Sequence, residues 1–130
     1  MRAFVDTNVF IYASQPNNPK CAAAEAVVFG GGVVSVQVIN EFANVTRKKL
    51  KRPWHEIEAG VALIIEKMGK PRDLTLLTHE AALSLAAAHN VAFYDALIVA
   101  SALEASCDVL ISDDFQDGRR FGDLLIRNPF

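Results

Sequence analysis

Residues 94–114 read Y-D-A-L-I-V-A-S-A-L-E-A-S-C-D-V-L-I-S-D-D, and two features of this stretch decide the fold. Tyr94–Ala105 is long enough for a helix and apolar on nearly all sides, so the helix it predicts must be buried. Val109–Ser112 is a short apolar run of strand type, and it closes on two acids, Asp113 and Asp114. A buried helix that feeds a buried strand is half of a βαβ unit. The same strand-then-acid pattern opens the chain, where Ala3–Val5 runs into Asp6.

Working outward, elements of the two types alternate. Cys21–Phe29 is alanine-rich and helical, and Gly30-Gly31-Gly32 ends it, glycine tolerating the positive φ that helix C-caps need. Val33-Val34 is strand-like, with Ser35 placed to cap the next helix. Val38, Ile39, Phe42 and Val45 recur at helical spacing between Val36 and Lys49. Pro53 stops that helix, and Trp54–Met68 forms another amphipathic one. Leu74–Leu77 reads as a strand, Thr78 or His79 to His89 as a helix, and Leu124–Arg127 as a last strand. Short strands alternating with helices of ten or more residues predict an α/β fold with a parallel sheet covered on both faces. With no repeats and no linker-like tract, one domain over residues 1–130 is expected. Ligands of such sheets bind beyond the carboxyl ends of the strands, which is where the acids fall.

Composition narrows the class. The chain has 130 residues, 52% of them hydrophobic and 22% charged, as in ordinary globular proteins. No apolar run approaches the roughly 18 residues of a membrane span, and M-R-A-F-V-D lacks the h-region of a signal peptide. A cytoplasmic protein is therefore expected. Cys21 and Cys107 form no C-x-x-C pair, and Cys107 reads as a small buried hydrophobe. His55, His79 and His89 lack zinc-ligand spacing. A net charge of −2 is not that of a protein that coats nucleic acid, but it leaves room for a local basic patch.

Four acidic positions stand where this fold would rather have none. Asp6, and Asp113 with Asp114, follow strands; alone, each reads as a turn or helix-cap acid. Glu41 lies three residues after Val38, one before Phe42 and four before Val45, on or beside an apolar helix face. A glutamate there must be paired, neutral or bound to a cation, because an isolated buried charge is very costly. Asp95 heads the apolar helix, where it complements the helix dipole, yet the end of so apolar a helix lies inside the protein or lines a cleft. Carboxylates gathered in one pocket repel unless a hard cation binds them. A set of oxygen ligands without Cys or His favours Mg²⁺ or Mn²⁺, and such clusters support displacement at phosphorus.

Taken in order, F-V-D-T-N-V-F-I-Y, S-V-Q-V-I-N-E-F, F-Y-D-A-L-I-V-A-S-A and L-I-S-D-D-F resemble the motifs of PIN-domain nucleases, and among them the VapC toxins of toxin–antitoxin pairs. The resemblance spans essentially the whole chain. It implies a PIN-like three-layer sandwich and a metal-dependent endoribonuclease using one or two Mg²⁺ or Mn²⁺ ions. The products would be a 5′-phosphate and a 3′-hydroxyl. By the same resemblance Asp6, Glu41 and Asp95 take the places of catalytic, metal-binding acids. The fourth place points to Asp114, with Asp113 able to share it, and Asn8 and Ser112 correspond to polar residues that order the site. A homodimer and a small cognate antitoxin are implied as partners.

R-K-K-L-K-R carries five basic residues, Arg47, Lys48, Lys49, Lys51 and Arg52. They read either as a solvated helix end or as a phosphate track for RNA; Arg119 and Arg120 are a further candidate. Trp54 and Tyr94 have rings able to stack on bases but are expected to be packing residues. Two other functions compete with the nuclease. A receiver- or phosphatase-like Mg²⁺ domain would need a lysine near the phosphoryl group that the strand ends here lack. A PIN-like module that binds RNA or a partner without cleavage would be expected to have lost an acid.

Overall fold

Four short strands, β1 (Ala3–Val5), β2 (Val109–Ile111), β3 (Arg120–Phe121) and β4 (Leu124–Arg127), form one sheet in the computed structural model, which describes residues 1–130. The order is β1-β2-β4-β3. β1 pairs parallel with β2, placing Val5 beside Ile111, and β2 pairs parallel with β4. Only the β3–β4 pair, a tight turn through Gly122, is antiparallel. Successive strand residues face opposite sides of a sheet. Phe4, Val5, Val109 and Leu110 are all at most 2% exposed, so both faces are covered.

Six helices supply that cover: α1 (Thr7–Ala13), α2 (Cys21–Phe29), α3 (Val36–Lys48), α4 (Trp54–Met68), α5 (Leu76–His89) and α6 (Phe93–Glu104). Ala96 to Ala102 of α6 are buried without a break, as its composition predicts. This helix packs on β2 and against α5, while α1 packs against α2 and α3. Phe4, Val38, Phe42, Ile98, Leu110 and Phe121 belong to one core, which also contains Cys107. No single helix is long and apolar enough to cross a membrane.

Several local expectations fail for identifiable reasons. Leu74–Leu77 is not a strand. The Thr75 hydroxyl accepts from the Thr78 backbone N–H while the Thr78 hydroxyl accepts from the Thr75 N–H, a reciprocal cap that starts α5 at Leu76. The Thr78 hydroxyl also donates to Glu104 at 2.8 Å, tying α5 to α6, and Leu76 and Leu77 face solvent. Val33 contributes a single parallel bridge to Phe4 rather than a strand. Gly32, at φ +154°, brings it there, and a Cβ on Gly32 would meet the Ala3 carbonyl oxygen at 2.8 Å. Ser35 does occupy the N-cap position of α3, but its hydroxyl makes no capping bond and is buried without a partner. Helix α1, directly after Asp6, has no counterpart in the sequence pattern; its V-F-I-Y run lacks a clear polar stripe.

Candidate active site

Because β1 and β2 are parallel neighbours, their carboxyl ends lie side by side, and the Asp6 N–H donates to the Ile111 carbonyl at 3.0 Å. The Asp6 side chain turns inward and is 2% exposed. One carboxylate oxygen accepts from the Thr7 backbone N–H at 2.7 Å, capping α1, and the other accepts from the Ser112 hydroxyl at 2.7 Å. Asp6 is thus a helix cap and a buried acid at the sheet edge at once. Burial pushes its pKa from 3.8 up to about 7; the bonds from Ser112 and Thr7 oppose the rise, and the charges of Asp114 and Glu41 add to it.

Glu41 projects from the middle of α3 and is half-buried. Its carboxylate accepts from the Thr7 hydroxyl at 3.0 Å and from the Gln37 amide, one turn earlier, at 2.9 Å. Thr7 therefore links two of the acids, through its backbone to Asp6 and through its hydroxyl to Glu41. Gln37 is absent from the residues that sequence pattern singles out, although its place four residues before Glu41 on one helix face was the available signal.

Asp95 stands half-buried in the first turn of α6. Burial raises its pKa, followed by the charges of Asp114 and Glu41. Asp114 is exposed on the loop after β2. Partial burial of its carboxyl raises its pKa, the Asn8 amide opposes the rise, and the Asp113 charge adds to it. The carboxylates of Asp114 and Glu41 thus act on both Asp6 and Asp95.

Asp113 faces elsewhere. One of its carboxylate oxygens accepts from the Tyr12 hydroxyl at 2.9 Å and pairs with Lys20 at 2.9 Å. Lys20 also sits over the rings of Tyr12 and Phe130. Ser112 is the hub beneath the cluster: its buried hydroxyl donates to Asp6 and accepts from the Asp114 N–H at 3.0 Å and from the Asn8 amide at 3.3 Å. The Asn8 amide oxygen is buried with no partner.

A cavity of about 390 Å³ opens over Thr7, Asn8, Glu41 and Asp114, walled on its other side by Ile11, Val45 and Leu50. Of the basic run, only Lys49 borders it. Arg52 instead donates to the Ser14 carbonyl at 2.7 Å and fastens the end of α3 to α1. Arg47 lies over the Trp54 ring and donates to the Arg52 carbonyl, and Lys48 and Lys51 line a separate surface depression with it. The run is thus divided between that depression and the acidic cavity, and the chain turns at Lys51, where φ is +55°. Arg119 is likewise held, donating to the His89 carbonyl at 3.0 Å. Trp54 and Tyr94 are not packing residues: they are 58% and 62% exposed.

No three His, Cys, Asp or Glu side chains form a ready-made cage for one ion. A cation here would be held by carboxylates together with water, which is the manner of Mg²⁺. The donor set fits such a hard ion: it is all oxygen, it carries an excess of negative charge, and it includes the unpartnered Asn8 oxygen.

Comparison with curated protein sequences gives no match. Several solved structures share the fold, two of them toxin–antitoxin proteins. One is the VapC20 toxin of Mycobacterium tuberculosis, which cleaves the sarcin–ricin loop, with a TM-score of 0.69 and 17% identity over 83% of this chain and 86% of that one. The other is VapBC2 of Rickettsia felis bound to a DNA fragment from its promoter, with a TM-score of 0.70 and 15% identity over 98% of each chain. Identities this low speak for the fold alone. The sequence model of the PIN domain matches residues 3–120, nearly the whole chain, and on that match the protein belongs to the PIN domain family.

Proposed function

We propose that this chain is a divalent-metal-dependent endoribonuclease and the toxin of a toxin–antitoxin pair. The observation that carries the reading is the linkage of Asp6, Glu41 and Asp114 through Thr7 and Ser112 at the carboxyl edge of a PIN-domain sheet, with Glu41 and Asp114 on one cavity and Asp95 within reach of their charges. The structural likeness to a toxin that cleaves the sarcin–ricin loop and to a VapBC assembly supports an RNA target and an antitoxin partner. A homodimer working in the cytoplasm belongs to the same reading.

In this reading Asp6, Glu41, Asp95 and Asp114 hold Mg²⁺ or Mn²⁺, one ion or two, which when bound supplies water activation and charge stabilisation at phosphorus. The chain's own contribution is preorganisation. Ser112 and the Thr7 N–H fix both oxygens of Asp6, and Thr7 and Gln37 fix both oxygens of Glu41. These acids therefore need little reorganisation when charge develops on the phosphate. Asn8 and Ser112 position the Asp114 loop. Asp113, paired with Lys20, buttresses that loop rather than binding metal.

The test is cleavage of single-stranded RNA by the wild type with Mg²⁺ or Mn²⁺, against Asp6→Asn and against wild type in EDTA. Both treatments are expected to abolish cleavage. Cleavage that survives both would overturn the metal mechanism.

A further inference from the structure

Glu41 separates two openings. One is the cavity over Asp114; the other, of about 450 Å³, is lined by Gln37, Asn40, Glu41, Asn44 and Tyr94. Three of those five residues carry primary amides, and Tyr94 is the only one with a large apolar surface. Asn40 and Asn44 are exposed and one turn apart on the same face of α3. Gln37 holds Glu41 with its amide nitrogen, which joins this cavity to the acid cluster. Tyr94 precedes Asp95, and its ring is braced edge-on by Phe93 at 5.6 Å, which is braced in turn by His79. It is a supported aromatic ring that stays 62% exposed.

We propose that this second cavity is the subsite for one nucleobase of single-stranded RNA next to the scissile phosphate. Tyr94 stacks on the base, and Asn40 and Asn44 hydrogen-bond to its edge. The proposal rests on the nuclease reading and deepens it. An unpaired base offers a flat face for an aromatic ring and an edge of alternating donors and acceptors. A primary amide presents a donor and an acceptor side by side, matching such an edge. Stacking tolerates any base, so the ring supplies affinity and the amides supply choice. A protein partner suits the site less, since interface anchors seat in well-packed, desolvated pockets, and four of the five residues lining this open one are polar or charged. Lys49, across Glu41, meets the phosphate charge of the continuing strand.

The test uses short single-stranded RNAs that differ at one nucleotide, with wild type, Tyr94→Ala, Tyr94→Phe and an Asn40→Ala/Asn44→Ala double variant. Binding is measured in EDTA, and KM, kcat and the sequence at the cut are measured with Mg²⁺. Tyr94→Ala is expected to raise Kd and KM by about 5- to 150-fold, the equivalent of one base stack, with kcat little changed. Tyr94→Phe keeps the ring and is expected to bind like wild type, whereas the double variant is expected to relax the base preference at the cut. Wild-type Kd and KM in Tyr94→Ala, or an equal loss in Tyr94→Phe, would overturn the subsite. So would a change in sedimentation with unchanged RNA affinity, which would assign the cavity to a second copy of the chain. A wild type that cleaves no RNA would instead defeat the nuclease reading.

Discussion

Asp6→Asn removes one buried charge while keeping the shape of the side chain, and its effect on stability follows from the site's electrostatics. Burial carries the Asp6 pKa from 3.8 to about 7. At 1.36 kcal/mol per pH unit, ionising it in the metal-free folded chain costs about 4 kcal/mol. A raised pKa makes the folded chain the tighter proton binder. Below pH 3.8 both states hold the proton and the cost is absent. Between 3.8 and 7 the unfolded chain releases its proton while the folded chain keeps it, so stability falls as pH rises, and above 7 the full cost stands. The asparagine of the variant does not titrate and has no such dependence. Its advantage over wild type should therefore grow by about 2 to 3 kcal/mol between pH 5 and pH 8; any loss from altered hydrogen bonds to Thr7 and Ser112 is constant with pH and cancels. Urea unfolding in EDTA reads this directly, as a gap between midpoints that widens by roughly 1 to 2 M. Mg²⁺ should close the gap at pH 8 by stabilising the wild type through mass action, with little effect on the variant. A gap that stays flat with pH would refute the burial argument, and one that Mg²⁺ leaves unchanged would refute Asp6 as a metal ligand.

Outcomes are also expected for five other variants. Asp114→Asn should lower kcat by at least about 100-fold, on the scale of losing a preorganised charge-stabilising group. Asp113→Asn, which removes the charge paired with Lys20 but keeps an oxygen to accept from Tyr12, should stay within about tenfold; equal losses in a cleavage assay would contradict the division of roles. Lys49→Ala should reduce the slope of log K against log salt for single-stranded RNA by about 0.7. Arg52→Ala should leave that slope unchanged and lower stability by roughly 1 to 2 kcal/mol, through loss of the bond to the Ser14 carbonyl. Thr75→Ala removes the hydroxyl of the α5 cap and should cost about 1 kcal/mol, a fall in Tm of roughly 3 to 5 °C in a thermal scan.

Much of the architecture is written in local pattern. The buried α6 helix and the strands at Ala3, Val109 and Leu124 stand where apolar runs of the right length predict them, because burial on all sides or on two faces leaves a one-dimensional signature. Asp6, Glu41 and Asp95 stand out for the converse reason, since an acid beside an apolar pattern is conspicuous, whereas only the family resemblance points to Asp114 ahead of Asp113. The cap that overrode the strand pattern at Leu74–Leu77 was written in the sequence too, but as Thr75 and Thr78 rather than as a hydrophobic period.

What tertiary structure alone decides is direction and partnership. Asp113 and Asp114 are adjacent and chemically identical, and only the fold brings Lys20 and Tyr12 from distant parts of the chain onto Asp113 while Asp114 borders the cavity. The basic run looks uniform in sequence, yet a turn at Lys51 and the contact of Arg52 with Ser14 leave Lys49 alone beside the acids. Tyr94 lies next to a stretch that is buried on every side, and its exposure follows from the packing of α6 against α5 and the sheet. In each case hydrophobic period records which face is buried, whereas the place a polar side chain reaches depends on residues far along the chain that the fold brings beside it.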